Sequence, residues 1–245
     1  MKTKLSLLIL LFSLATTSVS AEEEWQINWT PYLWAANISA SMDFGKGQGG
    51  VDADLDFNDI LDKLEGTYMH YLEFRKGRWG IANEIIYLNI ADSKKGPIAG
   101  VVEADGDLKQ SVIDLVATYY TGNGENTMLY GGLRHINAEV GVVATLTAPD
   151  SSLALNADKN WTNLLIGVRQ AFPLSDRWNL AVKGDIATDF DDEQSYVLTL
   201  GANYYMTKLL DLKFGYRYME VEYEDSDIKL EETIDGAFVG LTFKW

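Results

Sequence analysis

The sequence predicts an all-β fold, a transmembrane antiparallel up-and-down β-barrel of about ten strands, with eight or twelve strands as the alternatives. Three observations lead to this prediction. The chain begins with a pattern typical of a secretory signal, its later segments alternate apolar and polar residues with period two, and short and long connections alternate between those segments.

The first 21 residues have the three parts of a secretory signal. Lys2 and Lys4 supply the positive start, an apolar run follows from Leu5 to Leu14, and Val19-Ser20-Ala21 forms a small-residue cleavage box. The apolar run is shorter than the roughly 20 residues that a membrane-spanning helix needs. We therefore expect residues 1–21 to be a signal peptide and residues 22–245 to form the outer-membrane barrel domain. The chain has no cysteine, so neither a lipid anchor on cysteine nor a disulfide is expected.

The C-terminal segment, Thr233 to Trp245, gives the clearest strand pattern. From Ala237 onward, alternate residues are apolar and end in Phe243 and Trp245, whereas the other face is small or polar apart from Phe238. A barrel strand ends in this way because its last aromatic residue lies in the interfacial girdle of the membrane. An edge strand of a soluble β protein is the alternative.

Connections of two kinds alternate along the chain, which is typical of outer-membrane barrels with short periplasmic turns and long extracellular loops. The short ones lie near residues 76–77, 122–126, 175–176 and 207–208, and the long ones near 44–66, 92–107, 148–160, 190–194 and 224–230. Ten strands lie between them, an even number that places both termini in the periplasm. Their predicted ranges are 25–43, 67–75, 78–91, 108–121, 126–146, 161–173, 177–189, 195–206, 209–223 and 231–245.

Two of these strands contain irregular positions. After His135 the apolar residues change face, starting at Ile136, and either a bulge or an extension beyond the membrane would explain the change. Pro31 removes a hydrogen-bond donor from the first strand.

A Gly-x-Arg triplet recurs at residues 132–134, 167–169 and 215–217, with glycine and arginine on the polar face each time. Glycine leaves room inside a narrow barrel, and the guanidinium can pair with a carboxylate from another strand. We therefore expect a charge network in the lumen. Its candidate members are Arg134, Arg169, Arg217, Glu73, Glu84, Asp114, Asp185 and Asp211.

Residues 54–65 partly match a calcium-binding EF-hand loop, but Asp59 occupies the position that requires glycine for the sharp turn. A short helix in the first loop is the preferred interpretation, with Asn58 as its N-cap and with Ile60, Leu61 and Leu64 on one face. No metal site and no cofactor are expected.

Enzymatic and nucleic-acid-binding functions are both disfavoured. The chain has two histidines, His70 and His135, and the alternation places both toward lipid, away from any nucleophile in the lumen. The sequence contains no short motif of a hydrolase, a zinc protease or a phosphate-binding loop. A formal net charge of −16 is unlike the basic surface that a nucleic-acid partner requires.

Four segments resemble a widespread group of proteobacterial outer-membrane β-barrels of unassigned function, small and porin-like in type. They are Pro31-Tyr32-Leu33-Trp34, residues 57–64, Lys183-Gly184-Asp185-Ile186 and Gly215-Tyr216-Arg217-Tyr218. In that group the segment after Gly-Asp is usually rich in glycine, whereas this chain has Ala187-Thr188-Asp189-Phe190. The resemblance implies the fold and an outer-membrane location, and it implies no substrate.

Three functional hypotheses follow. The first is a structural barrel or small passive channel with a charged, largely filled lumen. The second is a surface protein that binds or adheres through its acidic extracellular loops, and the third is a membrane-embedded hydrolase. For the first two, the expected partners are outer-membrane lipids, lipopolysaccharide and the barrel assembly machinery.

Overall fold

The described part of the chain forms one antiparallel sheet of eleven strands that closes on itself. The computed structural model describes residues 24–44, 49–94, 101–146, 152–226 and 228–245, so the predicted signal peptide lies outside the described residues. The strands are β1 (Trp25–Phe44), β2 (Gly49–Leu55), β3 (Leu64–Lys76), β4 (Trp79–Lys94), β5 (Val101–Thr121), β6 (Thr127–Leu146), β7 (Ser152–Pro173), β8 (Trp178–Thr188), β9 (Glu193–Tyr205), β10 (Leu210–Glu224) and β11 (Ile228–Lys244).

Ten of the eleven strands make up the barrel wall. Each pairs with its neighbour in sequence, apart from β3, which pairs with β1, and β11 closes the ring on β1. The remaining strand, β2, pairs only with the end of β1, from Ile38 opposite Leu55 to Phe44 opposite Gly49. The prediction of a closed ten-strand barrel is therefore confirmed, and β2 is an added hairpin strand in the first loop.

The connections at one end are short, as predicted, and three of the predicted long loops are mostly strand. One of them is 224–230, because β10 ends at Glu224 and β11 begins at Ile228. β4 continues to Lys94 and β5 already begins at Val101, so most of 92–107 belongs to a hairpin. In the same way β6 continues to Leu146 and β7 begins at Ser152, within the predicted loop 148–160. These predictions were wrong because a strand end rich in polar residues has the composition of a loop.

An apolar band surrounds the outside of the barrel. Exposed leucine, isoleucine, valine and phenylalanine side chains cover the middle of the wall, as in Leu33, Ile81, Leu115, Ile166 and Leu200. Aromatic residues border this band on both sides, with Trp25, Trp79, Trp178 and Trp245 near the short turns and Tyr68, Tyr87, Tyr196, Tyr216 and Tyr218 at the far edge. This pattern is the lipid-facing surface of a transmembrane barrel.

Beyond the far aromatic edge the inside and the outside of the wall exchange character. On β10 the outer residues change from Tyr218 to Glu220, and the inner residues change from Arg217 to Met219. On β6 the buried inner residue after Arg134 is Ile136, and its pairing with β5 and β7 continues without a shift. The irregularity predicted near His135 is therefore an extension beyond the membrane, without a bulge.

The inner apolar residues of this extension pack into one core across the lumen. Its buried members come from β1, β3 to β7, β9 to β11 and the helix, and they include Ile38, Ile60, Ile136, Met219 and Val221. Four of these five are no more than 2% exposed, Ile60 being the exception at 5%. The half of the barrel away from the short turns is thus filled by an ordinary hydrophobic core.

A gap in the wall lies beside the one α-helix of the described residues, α1 (Phe57–Lys63). The described β1–β3 pairing ends where Pro31, which lacks a backbone donor, lies opposite His70.

Asp56 is the N-cap of α1 and accepts a hydrogen bond from the Asp59 backbone at 2.9 Å, so the prediction of a short helix is correct but Asn58 is not its cap. Ile60 points into the apolar core. Among the described residues, no helix is long and apolar enough to cross a bilayer.

Candidate functional site in the lumen

Charged side chains fill the membrane-spanning part of the lumen, below the apolar core. Arg134 of β6 is at the centre of the first group, where its Nε and Nη2 atoms both donate to the Asp114 carboxylate at 2.8 Å. Its Nη2 atom also lies 2.9 Å from Oδ1 of Asp185 on β8. Arg134 is 2% exposed, so this is a buried arginine held between two carboxylates.

Glu84 of β4 is at the centre of the second group. It accepts hydrogen bonds from Arg217 at 2.5 Å, from Lys183 at 3.0 Å and from the Tyr32 hydroxyl at 2.8 Å. Arg217 also donates to the Tyr32 hydroxyl at 2.9 Å. Lys183 links the two groups, because its Nζ atom lies 3.8 Å from Asp185.

Two further carboxylates of the expected network have other partners. Glu73 accepts hydrogen bonds from the hydroxyls of Tyr120 at 2.8 Å and of Thr118 at 3.1 Å. Asp211 pairs with Lys244 at 2.6 Å, near the short-turn end of the lumen. Neither forms an ion pair with one of the three repeated arginines.

Arg169 differs from the other two arginines of the repeat. It lies on the inner face of β7, but among the described residues it forms no hydrogen bond and no ion pair within 4 Å. The structure therefore brings Arg134 and Arg217 together with Asp114, Asp185 and Glu84, and it leaves Arg169 facing open space.

The glycines of the repeat let side chains pass close to the wall. A Cβ atom on Gly167 would lie 2.3 Å from the ring of Tyr130, whose hydroxyl donates to Asp185 at 2.7 Å. A Cβ atom on Gly215 would lie 2.2 Å from the Leu200 carbonyl oxygen. Glycine is required at both positions because neighbouring atoms already occupy that volume.

Sequence reasoning did not single out several residues that complete this site. The hydroxyls of Tyr32, Tyr120 and Tyr130 hold the carboxylates, and Lys183, Lys213 and Lys244 supply half of the cations that line the lumen cavity. Each lies on the inner face of its strand, so the period-two alternation was the available signal. The Gly-x-Arg repeat indicated the arginines of the lumen but not these tyrosines and lysines.

A cavity of about 390 Å³ lies in the part of the lumen next to the short turns. Its rim contains Gln26, Tyr205 and Lys244, which adjoin the chain ends or a short turn, and its deeper wall contains Glu84 and Arg217. The apolar core lies beyond those two residues. The cavity is therefore a vestibule that is open at the end predicted to face the periplasm and closed at the other end.

Both histidines alternate with inward-facing residues, but the expectation that both point toward lipid is wrong for His70, which is buried at 7% exposure. His70 alternates with the inward residues Tyr71 and Met69, and its ring makes an edge-on contact with Tyr68. His135 contacts Thr162 through Nδ1 at 2.9 Å. Neither lines the vestibule. Within the described ranges, no group of three or more acidic or histidine side chains is arranged to hold a metal ion.

Comparison with known proteins identifies the fold. No family model matches the chain, and no curated protein matches it in sequence. Among solved structures, the outer membrane protease OmpT from Escherichia coli is similar with a TM-score of 0.55 and 10% identity, covering 94% of this chain and 100% of that one. The translocator domain of the autotransporter NalP from Neisseria meningitidis has a TM-score of 0.42 and 12% identity, covering 94% and 90%.

The likeness to OmpT concerns the fold, and the surface of this chain agrees with it. A closed even-numbered barrel, an apolar outer band and two aromatic borders are the features of a protein that crosses the bacterial outer membrane. The chain is thus an integral outer-membrane β-barrel.

Proposed function

We propose that this barrel is a closed structural protein of the outer membrane, with a periplasmic vestibule and no continuous aqueous path to the outside. The observation that supports this proposal is the apolar core in the extracellular half. Ile136 and Val221 are both 0% exposed although they point toward the barrel axis from different strands.

The charged layer beneath the core supports the same function. Arg134 and Arg217 extend from the wall into the lumen and end in buried ion pairs, which occupy space that water would need. A barrel of ten strands encloses little more than its own side chains. An ion that crossed would have to separate these pairs and then enter an apolar core, and both steps are costly.

Conductance in planar bilayers tests this proposal. The refolded protein should show no stable single-channel steps, whereas replacing both Ile136 and Met219 by glycine should create them by emptying the core. Leu133→Ala is the matched control, because Leu133 lies next to Arg134 but faces lipid. A large, stable conductance of the unmodified protein would contradict the proposal.

A second function at the outer surface is favoured by one observation. Glu222 and Glu231 lie directly opposite each other on β10 and β11, above the apolar band, where like charges repel. Lys229 pairs with Glu231 at 2.6 Å and Gln194 donates to Glu222, so their repulsion is partly offset. A divalent cation between them could bridge to a phosphate group of lipopolysaccharide. Millimolar calcium should then raise the unfolding temperature of the protein, and Glu222→Gln with Glu231→Gln should remove the effect. No effect of calcium would exclude this function.

We include the expected partners and the absence of catalysis in the same proposal. Outer-membrane lipids contact the apolar band, and the barrel assembly machinery inserts the chain with β11 as its last strand. The protein acts without catalysis, and the support for this is that neither His70 nor His135 lines the vestibule. A hydrolytic activity that disappears on replacing either histidine would contradict this view.

A further inference from the structure

The vestibule has an excess of positive charge, although the whole chain has a formal net charge of −16. Its wall contains four carboxylates, from Glu73, Glu84, Asp114 and Asp211. It also contains six cationic side chains, from Arg75, Arg169, Lys183, Lys213, Arg217 and Lys244. The local charge is thus opposite in sign to that of the protein.

Four of the six cations are paired with carboxylates. Arg75 pairs with Glu125 in the adjacent short turn, Lys244 pairs with Asp211 at 2.6 Å, and Lys183 and Arg217 share Glu84. The charges of these four side chains are therefore balanced by carboxylates of the protein itself.

The other two cations, Arg169 and Lys213, have no carboxylate within 4 Å in the described part of the chain. Within the ranges that the structure describes, Lys213 forms one hydrogen bond, a long one from Nζ to the Thr30 hydroxyl at 3.4 Å. Lys213 is repelled by Arg169 and is attracted, beyond ion-pair distance, by Asp211 and Glu73. Two partly buried cations that repel each other in a confined space attract a counter-ion.

A third polar group lines the same space without a partner. The Tyr71 hydroxyl forms no hydrogen bond within the described ranges, and it lies within electrostatic reach of Glu73 and of Arg169. Apolar side chains, among them Val116, Met128 and Phe238, form other parts of the wall. A few polar groups in a partly apolar cavity of this size are typical of a small-molecule site.

We propose that the vestibule binds a small organic anion from the periplasm, with its carboxylate or phosphate group held by Arg169 and Lys213. Tyr71 donates a third hydrogen bond, and the apolar part of the ligand packs against Met128 and Phe238. This inference rests on the lumen being closed above the vestibule, because the closed end makes it a pocket.

Calorimetric titration of the refolded full barrel in neutral detergent tests the proposal with two probes, benzoate and inorganic phosphate. At least one probe should bind in low salt, and Arg169→Gln or Lys213→Gln should weaken binding by about tenfold or more, which corresponds to the loss of one charged contact. Benzoate binding alone identifies a carboxylate with an apolar body, and phosphate binding alone identifies a phosphate group.

The matched control is Lys208→Gln, which removes the same charge from an exposed short turn outside the vestibule. The Lys208→Gln variant should bind each probe with the same affinity as the unmodified protein. The proposal is overturned if neither probe binds, or if Lys208→Gln weakens binding as much as the vestibule variants do. Heat-dependent migration in gels confirms that each variant is folded. Because binding is measured without a membrane potential or transport, its failure is distinct from a failure of the conductance test.

Discussion

Arg217 of β10 donates a hydrogen bond of 2.5 Å to Glu84 of β4, and so joins two strands that are not neighbours in the barrel wall. Lys183 of β8 donates to the same carboxylate from a third strand. Glu84 therefore links three parts of the wall through the lumen, in addition to the backbone hydrogen bonds that run around it.

Replacing Glu84 by glutamine should destabilise the barrel by about 3 kcal/mol, because it leaves Arg217 buried without a carboxylate and leaves Lys183 with only Asp185 at 3.8 Å. Urea unfolding in detergent measures this change. The control is Glu224→Gln at the exposed extracellular end of β10, which should alter stability by less than about 0.5 kcal/mol. Equal effects of the two substitutions would show that the pairing in the lumen contributes little.

Replacing Gly167 by alanine should destabilise the barrel by about 2 kcal/mol, because the new Cβ atom would lie 2.3 Å from the Tyr130 ring. Tyr130 cannot move aside without losing its hydrogen bond to Asp185. Gly184→Ala is the matched control, since the nearest atom to its Cβ would be at 3.9 Å, an ordinary contact. Unfolding of the two variants in the same detergent provides the comparison.

A lysine in place of Ile166 tests the position of the membrane. Ile166 is 65% exposed within the apolar band, and a lysine near the centre of the bilayer costs about 2 to 4 kcal/mol in a barrel. The variant should fold into liposomes with a lower free energy of unfolding. Ser41→Lys, which adds the same charge on the outer face above the band opposite Glu231, should cost nothing. Similar losses in the free energy of unfolding for the two variants would show that the bilayer is not centred on the apolar band.

The stability of the extracellular core should depend on pH through Glu232. Burial raises the pKa of this carboxyl from 4.5 to about 7, although a hydrogen bond from Gln110 at 2.5 Å acts in the opposite direction. Glu232 lies on β11 beyond the apolar band, opposite Val221 and Ala40. Because the folded state holds this proton more tightly than the unfolded state, the free energy of unfolding should fall as the pH rises from about 4.5 to about 7.

Glu232→Gln should remove that part of the pH dependence. Above pH 7 the variant should be more stable than the parent by up to about 3 kcal/mol, and near pH 4 the two should be equally stable. Urea unfolding at a series of pH values measures the difference. A parent whose stability does not change between pH 4 and pH 8 would contradict the assignment.

Most of the fold could be predicted from the sequence because lipid imposes a strict rule on every strand that crosses it. Within the apolar band, outward residues such as Leu133 and Phe214 are apolar, and the alternation identifies the number of strands and the face that each residue occupies. Beyond the band, polar residues no longer mark the inner face of a strand. For this reason the sequence predicts loops where β5 and β7 begin. The strand β2 follows neither rule, because it pairs with one strand only.

The site was less predictable than the fold for a geometric reason. Alternation shows which residues point inward, but it contains no information on which inward residues meet across the lumen. Arg134 and Arg169 have the same local sequence context, yet one is enclosed by two carboxylates and the other faces the vestibule. Which inward side chains meet depends on how far distant strands are displaced relative to each other along the barrel axis.

The pairing order has a consequence for how the barrel assembles. Each wall strand joins one that is near in sequence, so hairpins can form locally and quickly, except at the junction of β1 and β11. That junction joins Asn28 to Lys244, and its closure must wait until the rest of the sheet is in place. The slow step of folding should therefore be the meeting of these two edges, and substitutions along β1 and β11 should slow folding more than equal substitutions in the β5–β6 hairpin.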